Sequence, residues 1–186
     1  MNKVLKSSVL LTIPFLLSSC SMLSSLMENF TYKEVEYEEF HEKAVKAFED
    51  VPYKLATVNG KMTSKVSGME TTETYKNVKI EIENGRPVTT SSMSANEQSA
   101  ASYIYSNASD ITDPSSSSIS ENYDIEVKFY VSSSGFKIVE KLKMNYPELG
   151  IDMDIDATLK YDKYAMCTSV SSKGTTKGDV TIKYSK

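Results

Sequence analysis

Few side chains in this sequence are suited to covalent or acid–base chemistry, and their spacing limits what that chemistry can be. Cys20 follows Leu17-Ser18-Ser19 at the end of an apolar run, Cys167 lies near the C-terminus, and His41 is the single histidine. A serine nucleophile needs a base within hydrogen-bond reach. One histidine on a helical surface, with no G-x-S-x-G elbow anywhere in the chain, gives hydrolase chemistry no support, and we read the chain as no enzyme. Zinc sites draw on several Cys or His, which this composition does not supply, and no glycine-rich phosphate loop is present. No cofactor is expected. Asp152, Asp154 and Asp156 invite a calcium reading. The EF-hand loop wants Gly at its sixth position and Glu at its twelfth, where this chain has Ala157 and Lys163. On a strand, alternate side chains stand ~6.8 Å apart, so three such carboxylates line a wet face more readily than they converge on one ion.

The N-terminus carries the most specific pattern. Lys3 and Lys6 precede Val9 to Leu17, an apolar run broken only by Thr12 and Pro14. A bilayer-spanning helix needs ~20 apolar residues, so the run is too short to cross; a positive head and a short apolar body make a secretory leader. Its end, Leu17-Ser18-Ser19-Cys20, resembles the lipobox of bacterial lipoproteins. The resemblance implies that the Cys20 thiol takes a diacylglycerol, that residues 1–19 are cut away, and that Cys20 becomes the new N-terminus. Each buried CH₂ contributes ~0.8 kcal/mol, so one acyl chain holds reversibly and two hold stably. The expected location is extracytoplasmic, lipid-anchored to the cell membrane and not spanning it. Residues 20–33 then form the anchor and tether, with Met22, Leu23, Leu26, Met27 and Phe30 scattered along it.

Residues 34–186 suit a single domain, since domains typically run ~100–200 residues. The whole chain has a formal net charge of −4, and the leader removes two lysines and no acid. The mature protein is therefore more acidic still, with no electrostatic footprint for nucleic acid and no basic cluster for anionic lipid. With Cys20 lipidated, Cys167 has no partner for an internal disulfide and reads as a small core residue.

The elements follow from periodicity. In residues 37–49, Tyr37, Phe40, Ala44, Val45 and Phe48 fall on one helical face, with Glu and Lys opposite. Glu39–Lys43 and Glu42–Lys46 are favourable i,i+4 pairs, and Val51-Pro52 ends the helix. Thereafter the period is two. Ala56, Val58 and Met62 form one run, and Val78, Ile80 and Ile82 a second, closed by Asn84-Gly85. Tyr123 to Val131, Phe136 to Met144 and Ile151 to Tyr161 continue the alternation. Two last strands, Tyr164 to Val170 and Val180 to Tyr184, flank "SSKGTTKGD", which reads as a hairpin loop. Residues 86–120 are Ser-rich, with a weak helix over 95–106, and read as a flap over a cavity or as a long solvated excursion. The fold class is α+β: a curved, mostly antiparallel sheet of about seven strands packed on one main N-terminal helix.

That helix would be ~20 Å long and cover about four strands at ~4.8 Å each. Yet nearly every strand has an apolar face. The sheet must curl on itself, use the Ser-rich middle as a second cover, or keep an apolar groove. The helix "EEFHEKAVKAF", the proline break and the strand "YKLATVNGKM" resemble the half-barrel of LolA-like and LppX/LprG-like lipoprotein carriers. Those families bind acyl chains in the concave face, so the resemblance implies Val58, Met62, Val127, Phe129, Ile138 and Met153 as lining residues; the plainer alternative is that each is core. The expected function is a membrane-tethered, non-enzymatic binding module for a lipid or other apolar ligand. The alternative is a structural or protein-interaction lipoprotein that contacts envelope or surface proteins and has no small-molecule ligand. A continuous apolar cavity favours the first and a filled core the second.

Overall fold

The computed structural model describes residues 32–66, 68–112, 124–146 and 151–186. The residues read from sequence as leader and tether, up to Thr31 and including Cys20, and the "PSSSS" run all lie outside these residues. Eleven elements follow in chain order. They are β1 (Lys33–Val35), α1 (Tyr37–Phe48), β2 (Leu55–Val66), β3 (Met69–Glu83), β4 (Arg86–Pro87), α2 (Ala95–Thr112), β5 (Asp124–Ser132), β6 (Gly135–Tyr146), β7 (Ile151–Asp162), β8 (Cys167–Gly174) and β9 (Thr176–Ser185). The nine strands form one open, curved sheet in the order β1-β5-β6-β7-β8-β9-β2-β3-β4, and every neighbouring pair is antiparallel.

Alternation along each strand, carried across by the register, sorts the side chains into two faces. One face holds Phe129 opposite Ile138, Ile138 opposite Leu159, Leu159 opposite Val170, Val170 opposite Val180, and Ile182 opposite Val58. Both helices lie on this face and the core is here. Phe40 and Ala44 of α1 are buried, and Phe40 packs on Phe129 and Phe136 with ring centroids 5.0 and 5.7 Å away. Ala100, Ala101 and Ile104 of α2 are buried against β3, β4 and β8. The outer face is charged. Glu126, Lys141, Asp156 and Lys173 form one lateral row across β5 to β8, and Asp124, Lys143 and Asp154 form the next. Exposed pairs of this kind are individually weak, but alternating sign keeps like charges from facing one another.

α1 ends at Phe48, one residue short of the 37–49 pattern and just ahead of Val51-Pro52, and Lys43 Nζ reaches Glu39 Oε1 at 2.6 Å. The NG turn is also as expected: Asn84 and Gly85 both take positive φ, 52° and 76°, the conformation a two-residue hairpin requires. Four features differ. The sheet has nine strands because β1 and β4, at three and two residues, are too short to show a period. Residues 171–179 are mostly strand, with only Thr175 between β8 and β9. Their inner-face positions are Ser172, Gly174, Thr176 and Gly178, so no aliphatic alternation marks them. His41 is half-buried rather than surface: its ring lies 5.6 Å from that of Tyr37, and its Nε2 is buried without a hydrogen-bond partner among the described residues.

The fourth difference is α2, eighteen residues long and packed on the sheet as a second cover rather than solvated. A capping box starts it. Ser94 N–H and Oγ both donate to Glu97 Oε2 at 2.7 Å, and Glu97 N–H donates back to Ser94 Oγ at 3.3 Å. The Ser94 contacts hold the Glu97 carboxyl below the usual carboxylate range. A lowered native value stabilises above the unfolded value and ceases to do so as pH falls through the native one. Amides in the first turn of α2 are therefore expected to lose hydrogen-exchange protection on acidification, and Glu97→Gln to flatten that dependence; a pH-independent first turn would refute the role.

Candidate binding surface

The six residues singled out from sequence all fall on the helix-bearing face, but the structure divides them. Val58, Met62 and Ile138 are buried, 0, 9 and 2% exposed, inside a core that also holds Ala56, Ile80, Phe136, Leu159, Met166, Val180 and Ile182. Phe129 is half-buried, its ring 5.2 Å from Tyr37 and 5.0 Å from Phe40. At that burial the first three offer no surface to a ligand, so they read as core. Val127 and Met153 lie toward the far ends of their strands. Val127 is 37% exposed and Met153 is half-buried.

Around those two, the register assembles a surface that single-strand reasoning did not mark as a unit. Ile125 stands opposite Leu142, Leu142 opposite Ile155, and Met144 opposite Met153. Ile125 is 38% exposed, and Leu142, Met144 and Ile155 are half-buried. With Val127 they form an apolar strip across β5, β6 and β7 at the end of the face away from Phe40. Leu142, Met144 and Ile155 were visible as alternating residues. Their adjacency and partial exposure were not, because both depend on where the helices land.

Two concavities accompany the strip. An open groove of about 510 Å³ runs beside the β5 edge at the β1–α1 junction, lined by Glu34, Val35, Glu36, Tyr37, Glu39, Val127, Lys128 and Phe129. It takes in two of the six sequence candidates and adds a carboxylate rim. Lys128 Nζ lies 3.1 Å from Glu126 Oε1, so the cation in the groove is engaged on its own strand. The second concavity, about 350 Å³, is a polar notch at the hairpin ends, with Lys65, Glu70, Asp152 and Lys177 among its walls.

The chemistry-bearing residues are occupied structurally. Asp152, Asp154 and Asp156 lie on the outer face opposite Asn145, Lys143 and Lys141, and no metal-holding group of His, Cys, Asp or Glu occurs among the described residues. Cys167 is buried, as its small apolar character suggests, and its thiol reaches the Ser169 carbonyl at 3.8 Å. Burial is the first cause of raised values at Tyr53, Tyr103 and Tyr184, and pushes Tyr75 up to about 12. These phenols stay protonated at neutral pH, and three of them act as donors: Tyr75 to Glu73 at 2.8 Å, Tyr53 to Asp162 at 2.6 Å, and Tyr184 to the Cys167 carbonyl at 2.9 Å. Ser99 Oγ also donates to Glu73, at 2.8 Å, tying α2 to β3. In comparisons with known proteins, no family model, no curated protein and no solved structure matches this chain.

Proposed function

We propose that this chain is an extracytoplasmic lipoprotein, tethered through Cys20, whose domain is a non-enzymatic binding module for an apolar ligand. Its binding surface is the strip of Ile125, Val127, Leu142, Met144, Met153 and Ile155. The observation that carries this reading is the contrast along one sheet face. The face is filled beneath the helices, and beyond them it leaves aliphatic and methionine side chains partly exposed. Contiguous exposed apolar surface marks a contact site, and methionine adapts to varied apolar shapes. The ligand lies across the strip and is not engulfed, because the core is filled. No helix among the described residues is long and apolar enough to cross a membrane, and the lipobox pattern supplies the tether.

Two measurements test this. Cys20→Ser is expected to move the protein from the detergent phase to the aqueous phase, or to leave it unprocessed; unchanged partitioning removes the tether. Native mass spectrometry of the detergent-extracted chain is expected to retain a dansylated fatty acid, and Leu142→Glu to weaken its binding about tenfold or more, the scale of ~1.4 kcal/mol. Equal binding by wild type and variant removes the strip.

A second reading, protein interaction, is favoured by one specific observation: the acidic groove lies along an edge of the sheet.

A further inference from the structure

The hydrogen bonds fix which way the β5 backbone points. In an antiparallel sheet, a residue's N–H and C=O leave on the same side, and successive residues alternate. On β7, the Asp154 carbonyl accepts from Thr175 at 2.7 Å and Asp162 N–H donates to Met166 at 3.0 Å, so even-numbered residues face β8. Odd residues of β7 therefore face β6. Their partners there are even, as in Leu159 with Ile138, which leaves the odd residues of β6 to face β5. Those pair with even residues of β5, as in Lys137 with Tyr130 and Lys141 with Glu126. The odd residues of β5 thus direct their backbone groups outward. β1 stands opposite Val131 and Phe129 through Lys33 and Val35. At Glu36 the chain turns into α1, and among the described residues no strand stands opposite Val127 or Ile125.

We propose that an extended segment of a partner protein, with alternating apolar and basic side chains, adds as a strand to β5 at Ile125–Val127. This deepens the protein-interaction reading and rests on it. β-Augmentation takes affinity from backbone hydrogen bonds and specificity from alternate side-chain sites, and both are present. Residues of the added strand opposite Ile125 and Val127 lie on the helix-bearing face and extend the apolar strip. Residues opposite Asp124 and Glu126 lie on the outer face, against carboxylates. Glu34, Glu36 and Glu39 line the adjoining groove. Of the neighbouring cations, Lys128 and Lys141 are paired with Glu126, Lys43 with Glu39, Lys143 stands opposite Asp124, and Lys33 acts on Glu39. The groove that adjoins the edge is lined by three carboxylates, Glu34, Glu36 and Glu39, against one lysine, Lys128, and this local excess selects Lys or Arg in an incoming strand.

The probe is a dye-labelled peptide, Lys-Val-Lys-Val-Lys-Val-Lys, titrated against the full chain in a non-ionic detergent and read by anisotropy. Binding is expected, with the Glu-Val counterpart at least about tenfold weaker and the affinity falling as salt is raised. Val127→Pro removes one outward N–H at an edge position where proline is tolerated. It should weaken binding about fivefold or more, while Val127→Ala keeps the N–H and more of the affinity. Glu36→Lys serves as a second variant outside the strand, also expected to weaken binding. Equal binding of both peptides, or no effect of Val127→Pro in a folded chain, overturns the edge assignment. If the peptide fails while the dansylated fatty acid still binds and responds to Leu142→Glu, the edge assignment alone falls. If both probes fail, the binding-module reading falls with it.

Discussion

Phe40→Ala is expected to destabilise the domain by about 3–5 kcal/mol in urea unfolding, the usual range for emptying a buried aromatic site. Phe40 is 1% exposed and is the residue through which α1 grips the sheet. Its ring meets Phe129 at a tilt of 46° and Phe136 nearly edge-on at 82°, arrangements that add to simple area burial. Native domains hold only about 5–15 kcal/mol in total, so the variant should sit near the unfolding threshold. Phe40→Leu keeps most of the volume and should cost well under half as much. A loss below ~1 kcal/mol for the alanine variant would mean that α1 is not anchored by this contact. The filled core beneath the helices would then have to be reconsidered.

Asp162→Ala is the second large effect, for a polar reason. One Asp162 oxygen, Oδ1, accepts from the backbone N–H groups of Tyr164 and Met166 at 2.9 and 3.1 Å. The other, Oδ2, accepts from the Tyr53 hydroxyl at 2.6 Å. The β7–β8 turn also holds Ala165 at φ 57°, a left-handed conformation that an alanine rarely adopts without such support. Removing the carboxylate leaves the N–H of fully buried Met166 without that acceptor. Hydrogen bonds to a charged group are worth ~1.5–3 kcal/mol, and an orphaned buried donor ~1–3, so a loss of about 2–4 kcal/mol is expected. Asp162→Asn keeps the Oδ1 acceptor and should cost markedly less. Equal losses for the two variants would show that the turn does not depend on Oδ1. Tyr53 adds a pH signature. Burial first, and Asp162 second, raise its phenol. That stabilisation is complete below the unfolded tyrosine value, about 10, and declines as pH rises beyond it. Tyr53→Phe should flatten the alkaline limb of the stability profile.

What sequence determined on its own was local. The 3.6-residue pattern of Tyr37, Phe40, Ala44 and Phe48, with proline after it, specifies α1. The two-residue pattern specifies β2, the second half of β3, and β5 through β7, because each burial choice repeats within a few residues. The charged head, the apolar run and the Leu-Ser-Ser-Cys sequence, on which the proposed tether rests, are local patterns too. So was the start of α2: Ser94-x-x-Glu97 is a capping box readable from four letters, though few large apolar residues follow it and the helix stays faint. By contrast, β8 and β9 near Thr175 were hidden because glycine and small polar residues occupy their inner positions, where no aliphatic could announce a face.

Only tertiary structure decided which apolar faces are covered. Val58, Ile138, Val127 and Met153 look alike in sequence, each an apolar residue on an alternating strand. The register lines them on one face across strands distant in the chain, and the packing over that face buries two of them and leaves two partly open. That no strand among the described residues stands opposite Ile125 and Val127 was equally invisible, since it depends on β1 stopping at Val35 while β5 runs on. A period reports which way a side chain points relative to its own strand. Whether anything lies over that side chain is set by contacts between segments tens of residues apart, and no local pattern encodes them.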